Sequence, residues 1–289
     1  MKKYFAFLIF PLALFSCAGD STETQEINPS DNLEELAMVP PFVEFKNYIA
    51  NLDVELPSID SLFTKYDALK EGFTQEEKDS AYFLANDFMY LFEVEESEQE
   101  DYSEKAVKAM EKKYGKAGFV IGNNEGYFYL WPDSKFLEKK FKKDLSTELS
   151  NYLEVEKKVN GQLTSDGGLI ISWGELAKMI LVCEDYMVKN NESKYFDNVM
   201  GLYLERMRFF MWGLDNTPII DWVFEEGEPK HLNEEVAAEY QKLIKDKKHK
   251  TGEFIADHLV FLEFRNFDFA YEEQVDLTEE DVKKKMGLK

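Results

Sequence analysis

The chain has 289 residues, and its 57 acidic and 34 basic side chains give a formal net charge of −23 at pH 7. A charge of this sign repels nucleic acid and anionic lipid headgroups, so the composition argues against both as principal partners. Hydrophobic residues make up 44% of the chain and aromatic residues 15%, which is enough to build a large apolar core at this length.

Residues 1–16 have the pattern of a secretory signal peptide. Two lysines precede an apolar run from Tyr4 to Phe15, and small residues lie near the end of that run. The alternative is a transmembrane helix, which needs about 20 apolar residues. Because the run is shorter than that and contains Pro11, the pattern predicts a cleaved signal peptide.

The end of this segment, Leu14-Phe15-Ser16-Cys17, resembles the lipobox of bacterial lipoproteins. Leu14, Ser16 and Cys17 match that motif, whereas Phe15 stands where the family has a small residue. The resemblance covers residues 1–17 only and implies cleavage before Cys17 and a diacylglycerol on its thiol. It also implies a lipid anchor in the cell membrane or outer membrane, with the domain in the periplasm or at the cell surface.

The second cysteine, Cys183, lies in an apolar run that begins at Met179. If Cys17 carries lipid, Cys183 has no intramolecular disulfide partner. We therefore predict that Cys183 is a small buried hydrophobic residue with an unreactive thiol. The alternative is a disulfide between the two cysteines in a freely secreted protein.

Residues 17–34 are small, polar and acidic, and they offer little apolar surface to bury. We predict that they form a disordered tether, which holds the folded part in the aqueous layer above the membrane. Residues 35–289 are predicted to form a mainly helical globular domain, with two domains as an alternative at this length.

Apolar residues at helical spacing dominate the first part of the predicted domain. After them, β-rich runs on either side of an Asn/Gly turn predict a hairpin over residues 118–131. Four helix starts are predicted before this hairpin. Pro40-Pro41 precedes an apolar face with Phe42 and Phe45, and Ser58 caps a helix that ends at Gly72. Thr74 and Glu77 form a capping box, and Ser103 caps a helix that ends at Gly115.

The rest of the chain is also predicted to be mainly helical. Two strongly apolar segments separated by Asn190-Asn191 predict an αα-hairpin that ends at Gly213. The predicted fold class is therefore mainly α, a helical bundle or αα-hairpin array with a small β-hairpin near residues 118–131. The other predicted elements are a helical stretch from Ser134 to Val155, a polar turn region from Lys158 to Gly168, a strand from Ile219 to Phe224, helices near residues 233–246 and 252–264, and a helix capped by Thr278.

No motif in the sequence indicates a catalytic or cofactor site. The sequence contains no GxxxxGK[ST] or GxGxxG loop and no HExxH, CxxC or GxSxG motif, so we predict no cofactor, no metal site and no catalytic residue. His231 and His249 lie in charged stretches that are predicted to be exposed. His258 lies on an apolar helix, where a hydrogen-bonded core histidine is favoured over a base or a metal ligand.

Two pairs of residues are the candidates for a binding edge. Glu184 and Arg206 lie on the two adjacent apolar helices, where they would form either a polar pocket with a general acid or ordinary surface ion pairs. Asp215 and Asn216 follow Gly213 in a dense turn signal, which would form either a binding edge or a simple helix stop with an Asx turn.

Two further patterns have a structural and a functional interpretation. The acidic segment from Glu93 to Asp101 lacks the alternating pattern and the central glycine of a Ca²⁺-binding loop, so we predict a solvated loop. Tryptophan rings can stack on sugars, but in a chain this hydrophobic we predict that they belong to the core. The four are Trp131, Trp173, Trp212 and Trp222.

The sequence favours a membrane-anchored lipoprotein of the cell envelope whose helical domain has a non-enzymatic binding or structural role. Its expected partners are the membrane, through the lipid, and envelope proteins or glycans, with no role for nucleic acid. The alternative is an envelope hydrolase with carboxylates in a cleft, which a pocket holding Glu184 or Glu205 with a raised pKa would favour. A two-lobed solute receptor is disfavoured because regular β–α alternation is missing.

Overall fold

The structure is a computed structural model that describes residues 39–99, 101–124, 126–221, 230–269 and 273–288. Within these residues the fold is mainly α-helical with three small two-stranded antiparallel hairpins, which confirms the predicted fold class. The predicted signal peptide, Cys17 and the tether lie outside the described residues. None of the described helices is long and apolar enough to cross a membrane.

Among the described residues, five helices precede the first hairpin. The predicted capping box is confirmed: the Glu77 amide donates a hydrogen bond to the Thr74 hydroxyl at 3.2 Å, and the Thr74 amide donates one to the Glu77 carboxylate at 2.7 Å. The predicted Ser103 cap is also confirmed. The prediction for Ser58 is wrong, because its helix begins two residues earlier with Pro57 in the first turn, and Ser58 is buried inside it. The helices are α1 (Pro41–Ala50), α2 (Leu56–Leu69) with a 3₁₀ turn at Lys70–Gly72, α3 (Gln75–Met89), α4 (Glu96–Gln99) and α5 (Glu104–Lys116).

The predicted β-hairpin is confirmed, with β1 (Phe119–Asn124) paired antiparallel to β2 (Tyr127–Pro132). Side chains alternate along β2, so that Phe128 and Leu130 are buried against the core. The opposite face of the same strand presents an aromatic row to solvent, formed by Tyr127, Tyr129 and Trp131.

The single helical stretch predicted from Ser134 to Val155 is instead two helices, α6 (Ser134–Phe141) and α7 (Thr147–Val159). The chain breaks between them because Ser146 caps α7, accepting a hydrogen bond from the Leu149 amide at 3.0 Å. Asp79 of α3 is buried and accepts hydrogen bonds from the amide and the hydroxyl of Ser146, at 2.8 and 2.6 Å. A residue on a distant helix therefore fixes where α7 begins.

Two long helices, α8 (Trp173–Lys189) and α9 (Phe196–Trp212), form the predicted αα-hairpin. The strand predicted from Ile219 is limited, within the described residues, to a single bridge between Ile220 and Leu232, and residues 222–224 lie outside them. The remaining elements are the hairpins β3 (Thr164–Ser165) with β4 (Gly168–Leu169) and β5 (Gly213–Leu214) with β6 (Thr217–Pro218), and the helices α10 (Glu234–Lys245), α11 (Thr251–Phe264) and α12 (Glu279–Met286), the last capped by Thr278 as predicted.

A continuous apolar core runs through the described residues, from Phe45 of α1 to Val282 of α12. Helix α8 lies at its centre, because it packs against α7, α9, α10 and α11. Cys183 of α8 is fully buried and makes no disulfide within the described part of the chain. Burial raises the pKa of its thiol to about 12, so the thiol is protonated at neutral pH and inert, as the sequence predicts.

Candidate functional site

Glu184 is buried, and its carboxylate caps the start of a neighbouring helix. The amide and the hydroxyl of Thr251, the first residue of α11, donate hydrogen bonds to it at 2.9 and 2.6 Å, and the Lys250 amide donates a third. A carboxylate at this end of a helix also interacts favourably with the helix dipole. Glu184 therefore holds α11 on α8, and its oxygens are occupied by backbone and hydroxyl donors.

Arg206 is also buried, and its guanidinium caps the C-terminal end of another helix, α7. Its Nη2 donates a hydrogen bond at 2.6 Å to the carbonyl of Val159, the last residue of α7. Its Nη1 donates to the Leu202 carbonyl at 3.0 Å and to the Glu205 carboxylate at 2.8 Å. Arg206 and Glu184 thus stabilise two different helix ends, and the structure does not assemble them into one pocket.

Asp215 and Asn216 form the turn between β5 and β6, which packs against the turn of the β3–β4 hairpin. The Asn216 amide donates a hydrogen bond to the Gly167 carbonyl at 2.9 Å, and the Asn216 side chain donates to the Asp166 carbonyl. Asp215 lies on the wall of a groove of about 480 Å³ whose other walls include Arg208 and Trp212. Asn216 therefore joins two turns, whereas Asp215 borders an open surface.

The histidines have structural surroundings. The Nε2 atom of His258 lies 2.7 Å from the Met211 carbonyl, and desolvation lowers the pKa of His258 to about 4, so the neutral ring donates this hydrogen bond. This confirms the interpretation of His258 as a core histidine. The prediction for His249 is wrong, because its side chain is largely buried between Asp246, 2.6 Å away, and Asp185, 3.5 Å away.

In the part that the structure describes, the acidic segment makes ion pairs and hydrogen bonds with residues of α5. Lys113 makes ion pairs with Glu95 at 2.8 Å and with Glu98 at 3.1 Å, and the Tyr114 hydroxyl donates a hydrogen bond to Glu98 at 2.7 Å. No group of three or more metal-binding side chains is found among the described residues, here or elsewhere.

A larger cavity, of about 650 Å³, lies between α3, α6, α7 and the exposed face of the first hairpin. We call it the aromatic pocket. Its size falls within the range of about 300–1,000 Å³ that is usual for small-molecule sites. Its walls include Tyr82, Phe83, Asn86 and Tyr90 from α3 and its end, Val120 and Trp131 from the hairpin, Glu138 from α6, Leu153, Glu156 and Lys157 from α7, and Asn160, Gly161 and Gln162 after it.

Trp131 presents its ring on the wall of this pocket, with 37% of the residue exposed. The ring stacks on Tyr129, with 6.3 Å between centroids and 21° between planes. It also covers Gly122 of the partner strand so closely that a Cβ atom there would lie 1.9 Å from the indole. The absence of a side chain at Gly122 therefore allows the position that Trp131 adopts.

Two carboxylates on the pocket wall differ in their surroundings. Glu156 is half-buried, and desolvation raises the pKa of its carboxyl although the Tyr152 hydroxyl donates a hydrogen bond to it at 2.6 Å. Glu138 is paired with Lys157 at 3.5 Å. One wall therefore offers a carboxyl that protonates more readily than usual, and another offers a charged pair.

The tryptophan prediction is correct for Trp173 and Trp212, which are buried, and wrong for Trp131. Trp222 lies outside the described residues. A signal for Trp131 exists in the sequence, because it falls on the same alternate face of β2 as Tyr127 and Tyr129, opposite the face that carries Phe128 and Leu130.

The sequence indicates the acidic residues of the aromatic pocket less clearly than it indicates Trp131. Glu156 stands four residues after Tyr152, which puts both on one side of α7, but nothing in the sequence pairs them with a strand.

Comparison of the chain with protein-family models, with curated proteins and with solved structures finds no match.

Proposed function

We propose that the domain is a glycan-binding module of a membrane-anchored envelope lipoprotein, and that the aromatic pocket is its ligand site. The observation that carries the proposal is the partly exposed Trp131 ring on the wall of a pocket whose lining also includes polar side chains. The lipid on Cys17 remains an expectation from the lipobox resemblance.

The chemistry of the pocket suits a sugar ring. The C–H face of a pyranose is apolar and packs on an aromatic ring, which Trp131 and Tyr90 offer at the pocket wall. The hydroxyl groups at the rim of the sugar need hydrogen-bond partners, which the side chains of Asn86, Asn160 and Gln162 can supply. Apolar walls with a few polar groups that fix orientation are the usual composition of a small-molecule site.

The experiment that tests this proposal is a binding titration with neutral oligosaccharides, including the dimer of N-acetylglucosamine, on the full chain in detergent. We expect Trp131→Ala to weaken binding by roughly 10-fold, since an aromatic stacking contact contributes about 0.5–1.5 kcal/mol beyond the apolar area it buries. The matched control is Tyr127→Ala, which removes an exposed aromatic residue from the same face of β2 outside the pocket.

The proposal fails if no oligosaccharide binds, or if Trp131→Ala and Tyr127→Ala have the same effect. Both variants change one exposed side chain on the same strand, so unfolding of the hairpin would lower both affinities together. Circular dichroism of each variant checks that the helical signal is retained.

The second candidate function is a hydrolase that uses Glu156 as its acid. The raised pKa of this carboxyl favours the candidate, because burial makes the carboxyl easier to protonate, and a protonated carboxyl can donate a proton to a leaving group. Glu138 supplies a second carboxylate on the same pocket. This moves the hydrolase alternative from Glu184 and Glu205 to another pair of residues.

Mass spectrometry of the oligosaccharides after incubation separates the two candidates. A binding module returns every ligand intact. A hydrolase returns shorter products, and Glu156→Gln, which cannot donate a carboxyl proton, abolishes them while leaving the dissociation constant within about threefold.

A further inference from the structure

A second concave surface adjoins the aromatic pocket and is rich in lysine. This lysine groove, of about 540 Å³, is lined by Lys135, Lys139, Lys142 and Lys157, with Glu138 and Glu154 among its other walls. In a chain whose acidic residues outnumber its basic ones by 57 to 34, four lysines around one groove are a local reversal of charge.

Three of these lysines make no ion pair within the described part of the chain. Lys135, Lys139 and Lys142 are exposed, and their ammonium groups make no ion pair with any residue that the structure describes. By contrast Lys157, the fourth, is paired with Glu138 at 3.5 Å and with Glu154 at 3.7 Å. The three ammonium groups are therefore free to bind an anion.

The groove and the aromatic pocket share a wall. Glu138, Leu153 and Lys157 line both cavities, so the ion pair between Glu138 and Lys157 stands between them. A ligand whose ring lies in the aromatic pocket and which extends across this pair would therefore enter the lysine groove.

We propose that the lysine groove is an anion subsite, and that the ligand of the aromatic pocket is an acidic glycan whose carboxylate or phosphate is bound there. This inference rests on the proposed function, because the sugar ring occupies the aromatic pocket. The net charge of −23 opposes it only weakly at this groove, since the Debye length of about 8 Å at physiological salt screens distant carboxylates more strongly than nearby lysines.

The test compares ligands that differ in charge alone. The disaccharide of N-acetylglucosamine and N-acetylmuramic acid carries one carboxylate, and its methyl ester carries none. We expect the full chain in detergent to bind the acid about 10-fold more tightly than the ester, and we expect this preference to disappear at about 1 M salt, where the Debye length is about 3 Å. N-acetylglucosamine 6-phosphate, against unphosphorylated N-acetylglucosamine, shows whether phosphate is preferred to carboxylate.

The variant carries Lys135→Gln, Lys139→Gln and Lys142→Gln together. Each charged contact at an exposed site contributes modestly, so the loss of all three lowers affinity for the acid by about 10-fold and leaves affinity for the ester unchanged within twofold. The matched control, Lys105→Gln with Lys112→Gln and Lys116→Gln, removes the same charge from exposed positions on α5 outside both cavities.

The outcomes separate the two proposals. Equal affinity for acid and ester, or an equal loss in the control variant, overturns the anion subsite and leaves the glycan pocket standing. Binding of the acid that depends on the lysines and not on Trp131 supports the subsite and overturns the pocket as the place of the sugar ring. Binding of neither disaccharide overturns both.

Discussion

At the scale of single residues, several buried polar side chains of this domain form hydrogen bonds at the ends of helices. Glu184 caps α11, Arg206 closes α7, and His258 binds the carbonyl of Met211 near the end of α9. Because the first amides and the last carbonyls of a helix have no partner inside it, each buried helix end needs such a group.

The sequence indicates that Glu184 and Arg206 are unusual, since both are charged and stand on strongly apolar helices. Its periodicity also correctly predicts the helices that carry them. It cannot identify their partners, because Thr251 and Val159 lie 67 and 47 positions away along the chain. Charge on an apolar helix face therefore predicts a buried polar contact without distinguishing a helix cap from a binding site.

Glu184→Ala tests the capping role. The change removes the acceptor of three hydrogen bonds at a buried site, so we expect the free energy of unfolding to fall by about 3 kcal/mol in chemical denaturation. Asp185→Ala is the matched control: its half-exposed carboxylate pairs with Lys248 at 2.9 Å and lies 3.5 Å from His249, which keeps Asp246 as its closer partner, so the loss costs less than about 1 kcal/mol. A stable Glu184→Ala protein that no longer binds the ligand would make Glu184 a binding residue.

At the scale of elements, three of the four predicted helix caps are confirmed and the cap predicted at Ser58 is wrong, whereas the break between α6 and α7 was not predicted. The caps at Thr74, Ser103 and Thr278 are local patterns that span three or four residues, and all three are confirmed. The break between α6 and α7 depends on Asp79 of α3, so no window around Ser146 contains its cause. The aromatic pocket is hidden from the sequence for the same reason, because its walls come from three helices and a hairpin.

Gly122 of the first hairpin provides a test of whether the position of the Trp131 ring matters for binding. An added Cβ atom would lie 1.9 Å from the Trp131 ring, so Gly122→Ala must displace the indole from the pocket wall. We expect this variant to lose affinity for neutral oligosaccharides by the same roughly 10-fold as Trp131→Ala, and to shift the tryptophan fluorescence. In contrast Gly115→Ala, where nothing lies within 4 Å of the added atom, keeps full affinity. Unchanged binding by Gly122→Ala would remove Trp131 from the site.

At the scale of the whole molecule, the net charge opposes the membrane attachment that we propose. A chain of charge −23 is repelled by anionic headgroups, so attachment through surface charge is unfavourable. The basic surface of α6 is small compared with that total, and it lies beside a pocket. The lipid that we propose on Cys17 would be an anchor independent of charge and would resolve this conflict.

Salt and mass together distinguish such an anchor from electrostatic attachment. We expect the protein expressed in bacteria with its own signal segment to sediment with membranes and to carry the mass of a lipid. We also expect it to remain with the membranes in about 1 M salt. At that salt the Debye length is about 3 Å, and screening releases only contacts that depend on charge. Cys17→Ala should be soluble and lipid-free, whereas Cys183→Ala, which alters a buried thiol, should still partition with membranes. If the wild type and Cys17→Ala are both soluble and lack lipid, the anchor is wrong. The domain would then act as a freely secreted protein, and the proposed glycan pocket and anion subsite would be tested by their own titrations.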